Sequence, residues 1–285
     1  MAIIFALLCC ASAALNDMVF RLYARKKRSR GLYVLVIGVV WALVFVVPLI
    51  SNGGALSKTT LLWGILSGLF SVLANILLIE GMSHNDAGMC ATIYRLNLVA
   101  VVIGAYFLLE ENLTALKIIG VFFAVVAIFM FFADSRSKRK EADASKLGLY
   151  MVAGGALLRA AMGLSYKHAL MVGADRSGLL FLNGILWIVG GVVYFLIREH
   201  RRVNLPFKKI AGYGALSGVL ICGIVFFMAM ALQYGDAAIV IPLAQMSFLG
   251  TCALGILFLK EKLTVKKSMG IFAGLICILL MSFSI

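Results

Sequence analysis

A chain of 285 residues that is 63% apolar and 13% charged, with only 3 prolines, cannot wrap a core in a polar shell, so a soluble globular domain is excluded. Its net charge of +14 would suit a nucleic-acid partner, but the lysines and arginines cluster in alternate connecting segments and so report membrane orientation, not nucleic acid. A membrane β-barrel is excluded as well, because runs such as 121–132 show no alternation of apolar and polar residues.

Apolar stretches long enough to cross about 30 Å of hydrocarbon follow one another at residues 2–20, 32–50, 60–79, 87–109, 116–133, 147–170, 178–197, 210–232, 237–259 and 266–284. The first carries Ala11-Ser12-Ala13, which resembles a signal-peptide cleavage site. No basic segment precedes its apolar run, however, and the positive cluster follows it, so it is read as a span. The predicted fold class is all-α integral membrane, with ten transmembrane helices.

Twenty basic residues fall in the segments after the first, fifth, seventh and ninth spans, against only Lys58, Lys117, Lys167 and Arg176 on the other side. The positive-inside rule then predicts a multi-pass protein of the cell (inner) membrane with both termini outside. Basic clusters at the cytoplasmic face also favour anionic headgroups, so membrane lipid is an expected partner. The six cysteines lie in apolar segments without metal-type spacing and read as packed thiols.

Residues 80–132 return, without a gap, as 230–282. An offset of 150 pairs Asp86 with Asp236, Ala87 with Ala237, Glu111 with Glu261, Leu113 with Leu263, Thr114 with Thr264, Lys117 with Lys267 and Gly120 with Gly270. The same offset relates Gly64 and Gly68 to Gly214 and Gly218, two GxxxG pairs that permit close helix contact. The chain thus divides into a first five-helix repeat (1–135), a basic cytoplasmic linker (136–146) and a second five-helix repeat (147–285). Each repeat has an odd number of spans, so the second enters from the opposite face. Inverted repeats of this kind place a substrate site between them, near the midplane.

The fourth span ends in Glu111-Asn112-Leu113-Thr114 with Lys117 and Gly120 beyond, and the ninth ends in Glu261-Lys262-Leu263-Thr264 with Lys267 and Gly270. Glu closes the apolar run, Thr can cap the next helix and Gly lets that helix pack tightly. This signature, with five-plus-five spans and this length, resembles the EamA-type transporters of the drug/metabolite transporter superfamily over nearly the whole chain. Family members usually carry Gly before the Glu, where Glu110 and Lys260 stand here. Many are drawn with cytoplasmic termini, opposite to the charge count of this chain. The resemblance implies a secondary transporter moving small metabolites through a cavity that the fourth and ninth spans help to line.

Ionisable side chains inside spans are costly and point to function. Arg95 and Arg159 lie near the middle of the fourth and sixth spans, where a guanidinium fork could hold a carboxylate or phosphate. The competing role is an internal salt bridge with Asp17, Glu80 or Asp86. Arg95 aligns with Gln245, which would make the duplicated position cationic in one half and neutral in the other. Thr92, Tyr94 and Asn97 neighbour Arg95, and Asn16, Asn75 and Asn183 either line the cavity or join helices. Asp17 is the candidate for proton coupling, with an i,i+4 pair to Arg21 as its structural alternative. Pro242 is a candidate hinge beside Gln245.

No Ser/His/Asp set, phosphate-cradling loop or metal-spaced cluster accompanies His84, His168 or His200, so no enzymatic activity, metal or cofactor is expected. The function the sequence points to is transport of a small polar, anionic metabolite by alternating access. Alternatives are an exporter of cationic or amphipathic drugs or of amino acids, a lipid-phosphate flippase, and a non-transporting scaffold.

Overall fold

The structure is a computed structural model and describes residues 1–24, 28–53, 56–85, 87–136, 145–199, 206–259 and 263–284. Twelve α-helices occupy these residues. The first repeat holds α1 (Ala2–Ala24), α2 (Arg30–Ser51), α3 (Lys58–His84), α4 (Ala87–Arg95), α5 (Asn97–Leu108) and α6 (Ala115–Arg136). The second holds α7 (Lys146–Met171), α8 (Arg176–Tyr194), α9 (Phe207–Tyr234), α10 (Ala237–Gln245), α11 (Ser247–Leu259) and α12 (Val265–Ser282), with a π-helical turn, Phe195–Glu199, extending α8. Among the described residues, ten segments are long and apolar enough to cross a membrane.

Polar residues at the span ends start several of these helices. Ser29, Ser57, Ser145, Asp175 and Thr264 each accept a backbone N–H three residues on, satisfying a donor that the first helical turn leaves free. Thr114 does the same for the amide of Lys117 at 3.4 Å, as its repeat partner Thr264 does for Lys267. The turn before it keeps a left-handed shape although glycine is missing: Glu110 has φ 55°, and the Glu111 amide folds back onto the Ala105 carbonyl at 3.1 Å.

The two repeats interdigitate. α2 packs on α8 and α6 on α12, each helix meeting its own counterpart, while α3 packs on α7 and α1 on α9 as an equivalent pair of contacts. Every principal helix contact therefore crosses between repeats, as a pseudo-two-fold axis in the membrane plane requires. The GxxxG glycines serve this interface: Gly64 and Gly68 face Leu182 and Leu186 of α8, and Gly214 and Gly218 face Val36 and Val40 of α2. At α2 and α8 it is backbone that meets backbone. A Cβ on Gly184 would lie 2.7 Å from the Ala42 backbone nitrogen, and one on Gly38 2.6 Å from that of Ile188.

The fourth and ninth spans are each broken into two helices. Residue 96 separates α4 from α5 and residue 246 separates α10 from α11, positions related by the repeat offset. Leu96 and Met246 each bond three residues back, to the carbonyls of Ile93 and Leu243, tightening one turn. Pro242 lies inside α10, but the first-repeat break has Thr92 at the matching position, so both breaks belong to the duplicated fold. The halves differ in burial. Ala237 to Ala244 of α10 are all buried, whereas in α4 only Cys90 and Thr92 are buried among the described side chains.

Candidate functional site

The two breaks face each other and exchange side chains. Arg95, at the end of α4, donates to the Gln245 carbonyl at 2.8 Å and to the Ser247 hydroxyl at 3.2 Å. In return the Gln245 amide donates to Oδ1 of Asn97 at 3.1 Å. Positions 95 and 97 correspond to 245 and 247, so each repeat reaches across the axis into the other's broken turn. Asp17 of α1 completes the cluster. It accepts from Arg95 at 3.0 Å and from the Thr251 hydroxyl at 3.2 Å, and the Arg95 guanidinium also lies 5.3 Å from the Phe248 ring centroid.

Of the two roles open to Arg95, the structure forms the internal salt bridge, with Asp17 as partner. The other partners named from sequence lie elsewhere: Glu80 pairs with Arg198 at 3.3 Å, and Asp86 and the Arg21 side chain fall outside the described residues. The Arg95 and Asp17 side chains are 20% and 37% exposed within the apolar spans that carry them. Charged groups facing acyl chains would cost several kcal/mol, so a polar interior is the environment expected for this pair.

Arg159 is different. It sits halfway along α7, and its one hydrogen-bond contact among the described residues is the Met162 sulfur at 3.4 Å. No carboxylate pairs with it among those residues. Tyr166 shares the wall of a crevice with it, and Tyr94 packs against α7 one helical turn away. The hydroxyls of Tyr94 and Tyr166 are buried without a hydrogen-bond partner among the described residues, as are Nδ2 of Asn97 and Oδ1 of Asn16. Tyr94 is fixed by packing its ring on Gly155, one helical turn before Arg159, where an added Cβ would lie 3.5 Å from the ring. A crevice of about 20 Å³ opens beside Arg159, walled by Met162, Tyr166, Val225 and Met228.

Asn75 and Asn183 make helix contacts instead. Asn75 donates to Ser71 of its own helix, and Asn183 holds α8 to α3 through the Gly64 carbonyl and Ser67 hydroxyl. Thr92 is buried on α4. His168 packs on Trp63 with ring centroids 4.6 Å apart. The cysteines are buried except Cys10, which is half-buried.

Sequence reasoning missed two features. Tyr166 lies seven residues after Arg159, on the same helix face, a spacing that could have revealed it. Glu111 reaches into the other repeat and accepts from the Ala237 and Ala238 amides at 2.7 and 2.9 Å, capping α10, while Lys117 pairs with Asp236 at 2.7 Å. The signature residues Glu and Lys are thus repeat-to-repeat contacts. Their counterpart Glu261 lies outside the described residues, and Lys267 is buried like Lys117.

A model of the EamA-like transporter family matches residues 1–133 and 146–283. The chain belongs to this family. EamA-like proteins are part of the drug/metabolite transporter superfamily and consist of two repeated five-helix units, the architecture seen here. An uncharacterised protein of Methanocaldococcus jannaschii is 35% identical over 103 residues, 34% of this chain and 75% of the archaeal one. A solved crystal structure superposes with a TM-score of 0.80 at 12% identity, covering 99% of this chain and 96% of its own, and so shares the fold.

Proposed function

We propose that this EamA-like membrane transporter moves a small anionic metabolite, a carboxylate or phosphate compound, by alternating access, with Arg159 as its anion anchor. One observation carries the reading: the guanidinium halfway along α7 has no acidic partner among the described residues, and the buried hydroxyls of Tyr166, in the same crevice wall, and Tyr94, packed one turn away, have no hydrogen-bond partner among them. Leaving such groups unsatisfied in a low-dielectric interior is expensive, and an oxyanion accepting from all three would remove the cost. Asn16 and Asn97 supply further polar atoms for the rest of the substrate. Arg95, neutralised by Asp17, does not compete for the anion; it ties the halves together at the two broken turns.

The unequal burial of the half-helices supports alternating access. In an inverted repeat, α4 and α10 occupy equivalent places from opposite faces, so a closed α10 beside a looser α4 fits a protein held in one of two mirror-related states. Cation export is less well served, since the free charge at the centre is positive.

The test is thermal stability of the purified protein against phosphate monoesters and mono- and dicarboxylates, with amines as controls, repeated on Arg159→Gln and Arg95→Gln. A ligand at a hundredfold excess over its Kd stabilises by about 2.7 kcal/mol. Anions should stabilise the wild type and Arg95→Gln but not Arg159→Gln. Equal stabilisation of Arg159→Gln and wild type would overturn the assignment.

A further inference from the structure

α10 is nine residues long and is tethered at both ends to the first repeat. At its C-terminal end the Gln245 carbonyl is held by Arg95. At its N-terminal end the Glu111 carboxylate takes the first two amides, Ala237 and Ala238, one on each oxygen. No other side chain among the described residues caps that end, because the N-cap residue Asp236 makes no capping bond and turns to Lys117 instead.

Glu111 is buried, yet it forms part of the wall of a cavity of about 310 Å³ whose other walls include Glu110, Asn112, Lys167, Met171 and Asp236. Glu110, Asn112 and Met171 are exposed, so water reaches the cavity from the sparsely basic face of the protein. The neighbouring cations are committed elsewhere. Lys167 of α7 donates to the carbonyls of Leu232 and Gly235 at 2.9 and 2.7 Å, and Lys117 of α6 donates to Asp236 and to the Asn112 carbonyl. Asp236 adds a second negative charge.

We propose that the Glu111 carboxyl is the binding site for a coupling proton and that its charge state sets the hold on the N-terminus of α10. This rests on the transporter reading above. The charged form caps α10 with two charge-assisted hydrogen bonds and suits the positive end of the helix dipole. The neutral form keeps a weaker acceptor and loses the dipole interaction. Opposing this, burial pushes the Glu111 pKa above the usual carboxylate range, with the two amides and Lys167 pulling it down and Asp236 adding to the rise. The two forms are thereby brought into competition: one is well capped but desolvated, the other is at ease in its surroundings but grips α10 poorly. Local opening of α10 takes the two amides away while Glu111 stays buried, which raises its pKa further, so a proton favours the opened turn. Because the far end of α10 holds Arg95, a change at Glu111 is separated from the Arg95–Asp17 contact by one nine-residue helix.

Hydrogen exchange on the full-length protein tests this without any substrate. Protection of 237–245, corrected for the intrinsic rate, should fall about tenfold as pH is lowered from 8 to 5, the worth of one charge-assisted hydrogen bond. Glu111→Gln should show the low-pH protection at every pH, and Glu110→Gln should follow the wild type. Protection in the wild type that does not change with pH overturns the proposal, and that result needs no variant to fold. So does a Glu111→Gln protein that keeps the wild-type pH profile. A pH-insensitive α10 together with anion stabilisation that is lost in Arg159→Gln would remove the proton site and leave the transporter reading in place.

Discussion

Replacing Asp17 with Asn strands the Arg95 charge inside an apolar span while preserving the shape of the side chain. An unpaired arginine at the centre of a span costs about 2.5–3.5 kcal/mol on insertion scales. With Arg95 20% and Asp17 37% exposed, screening offsets part of this, so Asp17→Asn should cost about 2 kcal/mol. Arg95→Gln strands Asp17 and also frees the Gln245 carbonyl and the Ser247 hydroxyl, so it should cost about 2–3 kcal/mol. The double variant leaves neither charge stranded. Its cost should fall below the sum of the singles by a coupling of about 1–2 kcal/mol, measured as a double-mutant cycle on reversible unfolding in mixed micelles. Additivity to within about 0.5 kcal/mol would refute the argument, because it would mean the two side chains do not sense each other.

Gly184→Ala sets a methyl group 2.7 Å from the Ala42 backbone nitrogen, and no side chain can move to admit it. The α2–α8 pair must separate, at a cost of about 2–3 kcal/mol, whereas Gly212→Ala meets nothing within 4 Å and should stabilise α9 by up to about 1 kcal/mol in the same unfolding assay. Glu110→Gly relieves a side chain held at φ 55° and should raise stability by about 0.5–1 kcal/mol, the strain removed less the added freedom of the unfolded chain. Global unfolding, unlike the local opening of α10, carries Glu111 into water. Since burial raises the Glu111 pKa in the fold, its contribution to global stability is present at low pH and is lost as pH rises through the raised value. Thermal unfolding from pH 5 to 8 should show that downward slope in the wild type and a flatter one in Glu111→Gln.

Spans, repeat and family were legible because they rest on features that repeat along the chain: apolar length, the offset of 150 and the Glu-Leu-Thr-Lys-Gly spacing. The breaks at 96 and 246 were not, since neither carries a signal of its own and Pro242 marks only one. The two arginines also looked alike in sequence. Their separation depends on which acid the fold delivers to which arginine, and Asp17 is 78 residues from Arg95 along the chain. The local spacing of Asp17 to Arg21 suggested a nearer partner. Glu111 was read as the end of an apolar run because the two amides it caps belong to the other repeat, 126 and 127 residues away.

The pseudo-symmetry of the broken turns allows the ion pair to be weighed apart from the hydrogen bonds. Exchanging the two side chains, as Arg95→Gln with Gln245→Arg, offers the new arginine the carbonyl of residue 95 and the Asn97 side chain, the counterparts of the Gln245 carbonyl and Ser247. The neutral contacts can be rebuilt in mirror image. The carboxylate cannot, because Asp17 is held on the Arg95 side by Thr251 and position 167, its counterpart at the same offset, is a lysine. The exchanged protein should therefore be more stable than Arg95→Gln alone and less stable than the wild type by about the 1–2 kcal/mol coupling of the pair. Stability equal to the wild type would show that Asp17 adds nothing beyond the hydrogen bonds. Stability below that of Arg95→Gln would show that the two broken turns are not interchangeable, and that divergence after the duplication has fixed the cation in the first repeat by more than its single acidic partner.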